Sequence, residues 1–464
     1  MSVEARAYGS RALAILRDTP AMRDSVTAGA LTLDSARRVG YASVDIESWR
    51  RWAEQVKNHV LTHLDRYLLQ AEDRLRANGA SVHWADTPAD AAGIVSDLAR
   101  RHGVRTVVKG KSMLSEEVGV NASLEAMGID VYETDLGEYI IQLLGEMPSH
   151  IIAPAIHRGL DDVRALFHER LDTPRDAAPE VLAAAARRVL RGAFLAADMG
   201  ITGVNFLVAE TGTLALVENE GNIRLTTTMP RVHVALVGIE KLLPRFDDLA
   251  TFLQLISRAA TGQAIGTFVS LIQGPRTAVD VDGPDEVHVV LVDGGRSALL
   301  ADPEAWEALR CLRCGACLNA CPVFRQTGGH AYGWAYSGPI GAILAPALLG
   351  MEEGGALPFA STLCGACVEA CPVRIPIPRL LHSWRDRLAD ARLTSRGERI
   401  GMKGYARVMT NPRLYRLASL LLRRLPGPVR GGRVTPVLKH WTAWRGALEP
   451  STRPFHELWR DGIT

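Results

Sequence analysis

Residues 311–322 read CLRCGACLNACP, and residues 361–372 read STLCGACVEACP. Set on their Cys-Pro ends, the two are copies of one phrase. The first has cysteine at every position of C-x2-C-x2-C-x3-C-P: Cys311, Cys314, Cys317 and Cys321, with Pro322 behind. The second has Cys364, Cys367 and Cys371 before Pro372, and a serine, Ser361, at the remaining place. This is the ferredoxin run. Three thiolates of one tight loop reach three irons of one cubane, and the cysteine before proline ligates the other cluster. Gly315 and Ala316 keep the loop small. Crossing the ligands gives a first set, Cys311, Cys314, Cys317 and Cys371, and a second set, Cys321, Cys364 and Cys367. Two iron–sulfur clusters are therefore expected, the first a 4Fe-4S cluster. The second is a 4Fe-4S cluster with a non-cysteine fourth ligand, or a 3Fe-4S cluster. Candidates for the open corner are the Ser361 oxygen, another side chain, a ligand or water, and serine suits this soft site less well than cysteine. Zinc is the competing reading for paired C-x2-C. However, structural zinc sites close on four ligands and do not ask for this third and fourth cysteine twice.

All seven cysteines fall between Cys311 and Cys371. A disulfide framework would spread its cysteines and favour an even number. The 464 residues exceed a typical single core, so two or more domains are expected. Hydrophobic content of 47% and charged content of 22% are those of a globular chain. The opening MSVEARAYGSRALAILRDTP carries acidic residues and lacks an apolar core, unlike a secretory leader. No window reaches the roughly 18 apolar residues of a membrane span. The longest candidate, GPIGAILAPALLGM, is broken by proline and glycine. A cytoplasmic location is expected. The net charge of +2 is uneven: residues 391–464 hold fifteen Lys/Arg against four Asp/Glu, leaving −9 for the rest. Such a tail is either a docking surface for an acidic partner, a membrane surface or nucleic acid, or simply solvated.

Residues 1–45 show no clear periodicity and read as a loosely packed N-terminal arm. SWRRWAEQVKNHVLTHLDRYLLQAEDRLRANGA reads as one long amphipathic helix. Strand-like and helix-like segments then alternate. SVHWA, RTVVKG, IDVYETD, HIIAP, NFLVAE, GTLALVEN, HVALVGI, TFVSLIQG and EVHVVLVD read as strands. PADAAGIVSDLARRHG, LGEYIIQLLG and APEVLAAAARRVLRGAFLAADMG read as helices. The pattern predicts an α/β domain with a mixed sheet over residues 46–300. An α-helical ferredoxin-type iron–sulfur domain follows over 301–390, its two motifs separated by a Gly/Pro-rich insert that cannot be one regular element. IPIPRLLHSWRDRLADARL is a proline-started helix. The basic C-terminal region, 391–464, holds an amphipathic helix in NPRLYRLASLLLRRLPGP, stopped by Pro-Gly-Pro, and the tryptophans Trp441, Trp444 and Trp459.

Weaker candidates lie in the α/β region. GNIRLTTTMPRVHVALVGIEK brings Arg224, Arg231, His233 and Lys241 into one strand-rich stretch, and VAETGTLALVENEG supplies Glu210, Glu218 and Glu220. VVKGKSMLSEE places Lys109 and Lys111 after a strand and before a helix start at Ser112, an arrangement suited to an anion. His330, in TGGHAYGW, could approach a cluster, but a loop histidine is more often structural. Surface turns and satisfied core groups are the competing reading for each. Neither a G-x-G-x-x-G run after a strand nor a P-loop is present, so no nucleotide of those kinds is expected.

KGKSMLSEEVGVN, YETDLGEYIIQLLGEMPSHIIAPAIH, GVNFLVAETGTLALVENEGN and PRVHVALVGIEK resemble the lactate-utilization domain. CLRCGACLNACPVFRQTGGHAYGWAYSGPIGA and LCGACVEACPVRIP resemble the ferredoxin-type part of the lactate utilization protein B family. The resemblance runs over nearly the whole chain, in the same order. It implies a cytoplasmic iron–sulfur electron-transfer subunit, not itself catalytic, of a bacterial system that oxidises L-lactate to pyruvate. Two partner proteins are implied, one cysteine-rich and one with only a lactate-utilization domain. A peripheral membrane or quinone-linked acceptor is expected, and no nucleic acid. The implied fold is similar to ribose-5-phosphate isomerase, glucosamine-6-phosphate deaminase and coenzyme A transferases. The family's ligands map onto all seven cysteines, and the missing eighth fits its pattern. The resemblance carries no catalytic residue across. An iron–sulfur subunit or enzyme for another 2-hydroxy acid, such as glycolate, bound in the α/β domain, is the alternative.

Overall fold

Ten strands frame the larger part of the molecule: β1 Ser81–Ala85, β2 Thr106–Lys109, β3 Asp130–Glu133, β4 Met199–Gly203, β5 Phe206–Val208, β6 Thr213–Glu218, β7 Val232–Gly238, β8 Leu242–Leu243, β9 Phe268–Ile272 and β10 Glu286–Val292. The structure is a computed structural model that describes residues 3–424, 453 and 455–462. It divides into two units, Met1–Leu388 and Ala389–Thr464.

The strands form two sheets, not one mixed sheet. Six are wholly parallel in the order β1-β10-β7-β4-β2-β3. The second sheet, β8-β5-β6-β9, is the mixed one, with β5 parallel to β8 and antiparallel to β6. Every residue of β7 is buried, as are all but the first of β10. Strands covered by helices on both faces read as continuous apolar runs, which is why these two were plain in the sequence. Strand β4, MGITG, was not. Its two glycines weaken the signal, yet a Cβ on Gly200 would sit 1.9 Å from the Thr226 carbonyl oxygen. The glycine lets helix Asn222–Thr228 approach the strand.

Three further expectations are corrected. The long helix is two, Ile46–Thr62 and Leu64–Ala77, divided at His63 (φ −121°, ψ 36°). No proline or glycine announces the break, and the amphipathic pattern runs through it. HIIAP is a turn, closed by the Ser149 N–H on the Pro154 carbonyl at 3.0 Å, and not a strand. The N-terminal segment is not loose. Helices Tyr8–Asp18 and Pro20–Ala42 share one core with the cysteine loops, helix Asp248–Thr261 and helix Gly338–Leu348. Its apolar positions are mainly alanines, glycines and valines, which carry a weak periodic signal but permit close packing.

The smaller unit contains helices Arg396–Met409 and Pro412–Arg424, and a short one, Phe455–Arg460. Ile400, Met402, Tyr405, Leu417, Leu420 and Leu421 are exposed. The Pro-Gly-Pro stop, Trp441 and Trp444 lie outside the described residues, and Trp459 is exposed on the last helix. Among the described residues no helix is long and apolar enough to cross a membrane.

Candidate functional site

The two cysteine loops are one shape built twice. Arg313 and Leu363 both take positive φ, +62° and +56°, and Gly315 and Gly365 follow at +74° and +86°. Each glycine starts a five-residue helix, Ala316–Ala320 or Ala366–Ala370. The cysteine before proline then turns the chain out with nearly the same angles, φ −82° and ψ 119° at Cys321, φ −71° and ψ 120° at Cys371. Positive φ is costly for arginine and leucine, so the loops are held open by their surroundings.

The turns aim backbone N–H groups at sulfur. Arg313 N donates to Cys311 Sγ at 3.4 Å, Phe324 N to Cys321 Sγ at 3.5 Å, and Ile375 N to Cys371 Sγ at 3.4 Å. In the second loop Leu363 N donates to Ser361 Oγ at 3.1 Å. Ser361 therefore presents its oxygen in the setting where Cys311 presents its sulfur.

Cys311, Cys314, Cys317 and Cys371 line one hollow, closed by Ile151, Ile340, Val373, Ile375 and Ile377. None of the seven cysteines is in a disulfide, and six are buried, with Cys364 exposed. Burial pushes the Cys314 and Cys367 thiols up to about 12, and neighbouring sulfurs push the same way. Cys317, Cys321 and Cys371 are raised as well, by burial first. Cys314 senses Cys311 and Cys371, whereas Cys367 senses Cys321 and Cys364 first and Cys371 after them. Cys317 also senses Cys367, so the two groups adjoin. Thiols gathered this closely away from water would ionise only against a cationic centre, which the irons of a cluster would supply. The donor set, the N–H groups aimed at sulfur and the absence of disulfides fit iron–sulfur clusters.

Sequence reasoning missed the residues that hold these loops. From helix Ile46–Thr62, Arg50 donates to the Cys371 carbonyl at 2.9 Å and to the Val368 carbonyl at 2.7 Å. Tyr41 O–H donates to the Ala370 carbonyl at 3.0 Å. His150, fully buried, accepts from the N–H groups of Ile152 and Ala153 on Nδ1 and meets the Asn319 side-chain oxygen through Nε2 at 3.0 Å. Burial lowers it to about 3, so it is neutral and donates from Nε2.

The weaker candidates separate. Lys109 is enclosed by Glu133 at 2.9 Å and Glu116 at 3.0 Å, a structural ion cluster. Arg231 is paired with Asp285 at the surface, Arg224 is exposed, and His233 is buried against Thr202 at 2.9 Å. Glu210 accepts from Phe246 N at 2.8 Å. His330 meets the Met147 carbonyl at 2.7 Å and packs edge to face on His157. Lys111, Ser112, Glu218, Glu220 and Lys241 instead line a single cavity of about 290 Å³, whose wall also includes Leu312, Arg313 and Cys314. Of the proposed basic group, only Lys241 reaches it.

Beside this cavity lies a buried ionic network. Arg296 pairs with Glu117 and Glu240, each at 2.7 Å; Arg313 reaches Glu240 at 3.4 Å; and Tyr336 O–H donates to Glu117 at 2.6 Å. Burial lowers Lys57 to about 7 and Lys241 to about 8. Glu240 is held at about 2: burial opposes its charge, and the arginines outweigh it.

Comparison with known proteins covers almost the entire chain. A model of the LUD domain matches residues 68–292, a 4Fe-4S dicluster domain matches 307–375, and the C-terminal domain of lactate utilisation protein B matches 388–462. The chain is 40% identical over 455 residues to lactate utilization protein B of Bacillus licheniformis, covering 96% of this chain and 94% of that one. It is 40% identical over 447 residues to the Shouchella clausii protein of the same name, covering 95% and 94%. It is 44% identical over 374 residues to the uncharacterized electron transport protein YkgF of Escherichia coli, covering 81% and 78%. A solved DUF162 family protein from Deinococcus radiodurans aligns over 49% of this chain and 98% of its own, at 15% identity and a TM-score of 0.28.

Proposed function

This chain belongs to the lactate utilization protein B family, and from that premise we propose that it is the iron–sulfur electron-transfer subunit of a cytoplasmic L-lactate oxidation system. L-lactate becomes pyruvate at a partner, releasing two electrons and two protons. The electrons cross this chain one at a time to an acceptor such as a quinone. The observation that carries the reading is the pair of like-shaped cysteine loops whose two thiol groups adjoin. When bound there, the two clusters supply one-electron storage and transfer.

In this reading Cys311, Cys314, Cys317 and Cys371 hold a 4Fe-4S cluster, and Cys321, Cys364 and Cys367 hold the second. Ser361 Oγ is its fourth ligand, supported by the N–H donor shared in kind with Cys311. The chain's own residues set the direction. The first group lies in the core, whereas Cys364 is exposed and Ser361 half-buried, so the second loop faces electron partners. The two implied partners are a cysteine-rich protein and one with only a lactate-utilization domain. The six-stranded parallel sheet supports a further part of the proposal, that the α/β portion is similar in fold to ribose-5-phosphate isomerase and coenzyme A transferases.

The test is anaerobic. L-lactate is added to the purified chain, alone and then with both partners, and cluster reduction is followed by electron paramagnetic resonance. Reduction only with partners is the expected result. A second reading puts a 2-hydroxy acid, lactate or glycolate, in the α/β portion, and the cavity beside Cys314 favours it. Reduction of the isolated chain by lactate would replace the first reading with this one.

A further inference from the structure

Strand β10 opens on Glu286, and the alternation of a strand puts Glu286 and His288 on one face. Its neighbour β1, at the sheet edge, brings His83 Nε2 to 3.2 Å from His288 Nδ1. His102, the residue that closes helix Pro88–Arg101, supplies a third imidazole. Glu286 Oε2 lies 3.2 Å from His288 Nε2 and 3.6 Å from His102 Nε2. One donor atom each from His102, Glu286 and His288 lie within 4.8 Å of one another.

Hydrogen bonding leaves this group incomplete. His102 Nε2 is buried without a hydrogen-bond partner, since 3.6 Å is too long for one. Half of the Glu286 side chain is exposed, and among the described residues no Lys or Arg forms a salt bridge with it. Arg231 and Arg276 are both taken by the neighbouring Asp285. Burial, first of all, holds His83 and His288 below the ordinary histidine value, so both are neutral imidazoles at pH 7. Arg101 and Arg76 also lower His83, which stands outside the three donors.

A divalent ion supplies what the hydrogen bonds lack. Zinc binds imidazole nitrogen and carboxylate oxygen at about 2.0–2.2 Å, which sets tetrahedral neighbours about 3.3 Å apart. The separations of 3.2 and 3.6 Å bracket that value. His288 Nδ1–H donating to His83 Nε2 leaves the Nε2 lone pair of His288 for the ion, the usual outer support of a metal-bound histidine. Glu146, His157 and His330 form a second group of the same composition, but there the carboxylate is already paired with Arg158.

We propose that His102, Glu286 and His288 form a binding site for a divalent ion of the zinc class, with His83 as the outer partner of His288. The ion ties the end of helix Pro88–Arg101 to β10 and leaves its fourth position to water. The site lies at the start of β10, whereas the cavity beside Cys314 takes Gly203 and Gly238 from the far ends of the parallel strands β4 and β7. It uses no cysteine and goes beyond the electron-carrier reading.

The experiment is isothermal titration calorimetry on the anaerobically reconstituted full-length chain, with iron assayed before and after. The probes are zinc chloride and magnesium chloride. One Zn2+ per chain is expected with the iron retained, and Mg2+, which prefers oxygen ligands, should bind far more weakly. His102→Ala and Glu286→Gln should each weaken Zn2+ by about a hundredfold or more, and His83→Ala by about tenfold. If His102→Ala lowers the iron content, Glu286→Gln decides. No Zn2+ binding by the parent chain overturns the proposal, as does binding that both ligand variants leave unchanged. Zn2+ that enters only as iron is released sits at the cysteines and also overturns it. Mg2+ binding as tight as Zn2+ overturns the ion class. None of these outcomes touches partner-dependent cluster reduction, so failure here leaves the electron-carrier reading standing.

Discussion

At the scale of single residues, one oxygen separates the two cysteine loops. Ser361 and Cys311 receive the same kind of backbone N–H, so Ser361→Cys should complete an ordinary four-thiolate second site. The expected outcome is a shifted midpoint potential and altered paramagnetic resonance spectrum for the second cluster, with the first unchanged. If neither moves, Ser361 is not at the open corner. Cys314→Ala should lose the first cluster's iron and, because metal binding is partly folding free energy, lower stability as well. Unchanged iron would contradict the assignment. His233 offers a pH test away from the cysteines. Burial, then His288, lowers it to about 4 from its usual 6.5. The unfolded chain binds this proton between those values and the folded chain does not. Stability from neutral His233 is thus complete above pH 6.5 and falls as pH drops toward 4. Urea unfolding should show the parent losing about 2 kcal/mol more than His233→Gln between about pH 7 and about pH 5.

At the scale of elements, the iron–sulfur part is held from outside itself. Arg50 on helix Ile46–Thr62 caps the carbonyls of Cys371 and Val368. Arg50→Ala would strip the charged donor from both carbonyls, which keep only the backbone N–H groups of Arg374 and Cys371, at a cost of about 2 kcal/mol. Denaturant unfolding should show the loss, and cluster absorbance should bleach faster in air; identical curves would show that the clamp is not needed. The turn at Ser149–Pro154 is the second support. A Cβ on Gly329 would lie 1.8 Å from the Ser149 carbonyl oxygen, and Gly329 N also donates to Ser149 Oγ at 3.0 Å. Gly329→Ala should push this turn off the ferredoxin-type part, lower the melting temperature and loosen Ile151 from the hollow it closes. Such supports are hard to see in a sequence. Helix periodicity marks which face of Ile46–Thr62 is buried, but not that an arginine on that face reaches a carbonyl more than 300 residues away.

At the scale of the whole molecule, residues 1–388 form one compact unit, and one of its hydrophobic clusters reaches from the cysteine loops into the α/β portion. It joins the N-terminal helices, Phe206 of β5, helix Asp248–Thr261 and the cysteine loops. Removing iron should therefore lower the melting temperature of the α/β portion as well. Far-ultraviolet circular dichroism and cluster absorbance should report one coincident transition for the reconstituted protein. An α/β portion melting unchanged after chelation would show two independent domains. The expected boundary near residue 300 followed a real change in composition. Composition does not report which contacts cross that boundary, and one hydrophobic cluster does.

The sequence alone determined the strongly local features. Cysteine spacing specified two ferredoxin-type loops and the gap at Ser361, since a loop of that length can fold around a cluster in few ways. Uninterrupted apolar runs specified β7 and β10, because a strand buried on both faces has no other composition available. Tertiary structure decided what depends on distant contacts. It split the long helix at His63, turned HIIAP into a bend anchored by His150, and made a strand of the glycine-bearing MGITG. It also dispersed the basic stretch, leaving Arg231 at the surface and only Lys241 at the cavity. Most consequentially, it placed Arg313 with two unpartnered nitrogens beside the first cysteine loop. Spacing along a chain fixes which side chains share a loop; which charges face each other across a cavity depends on how separate elements pack.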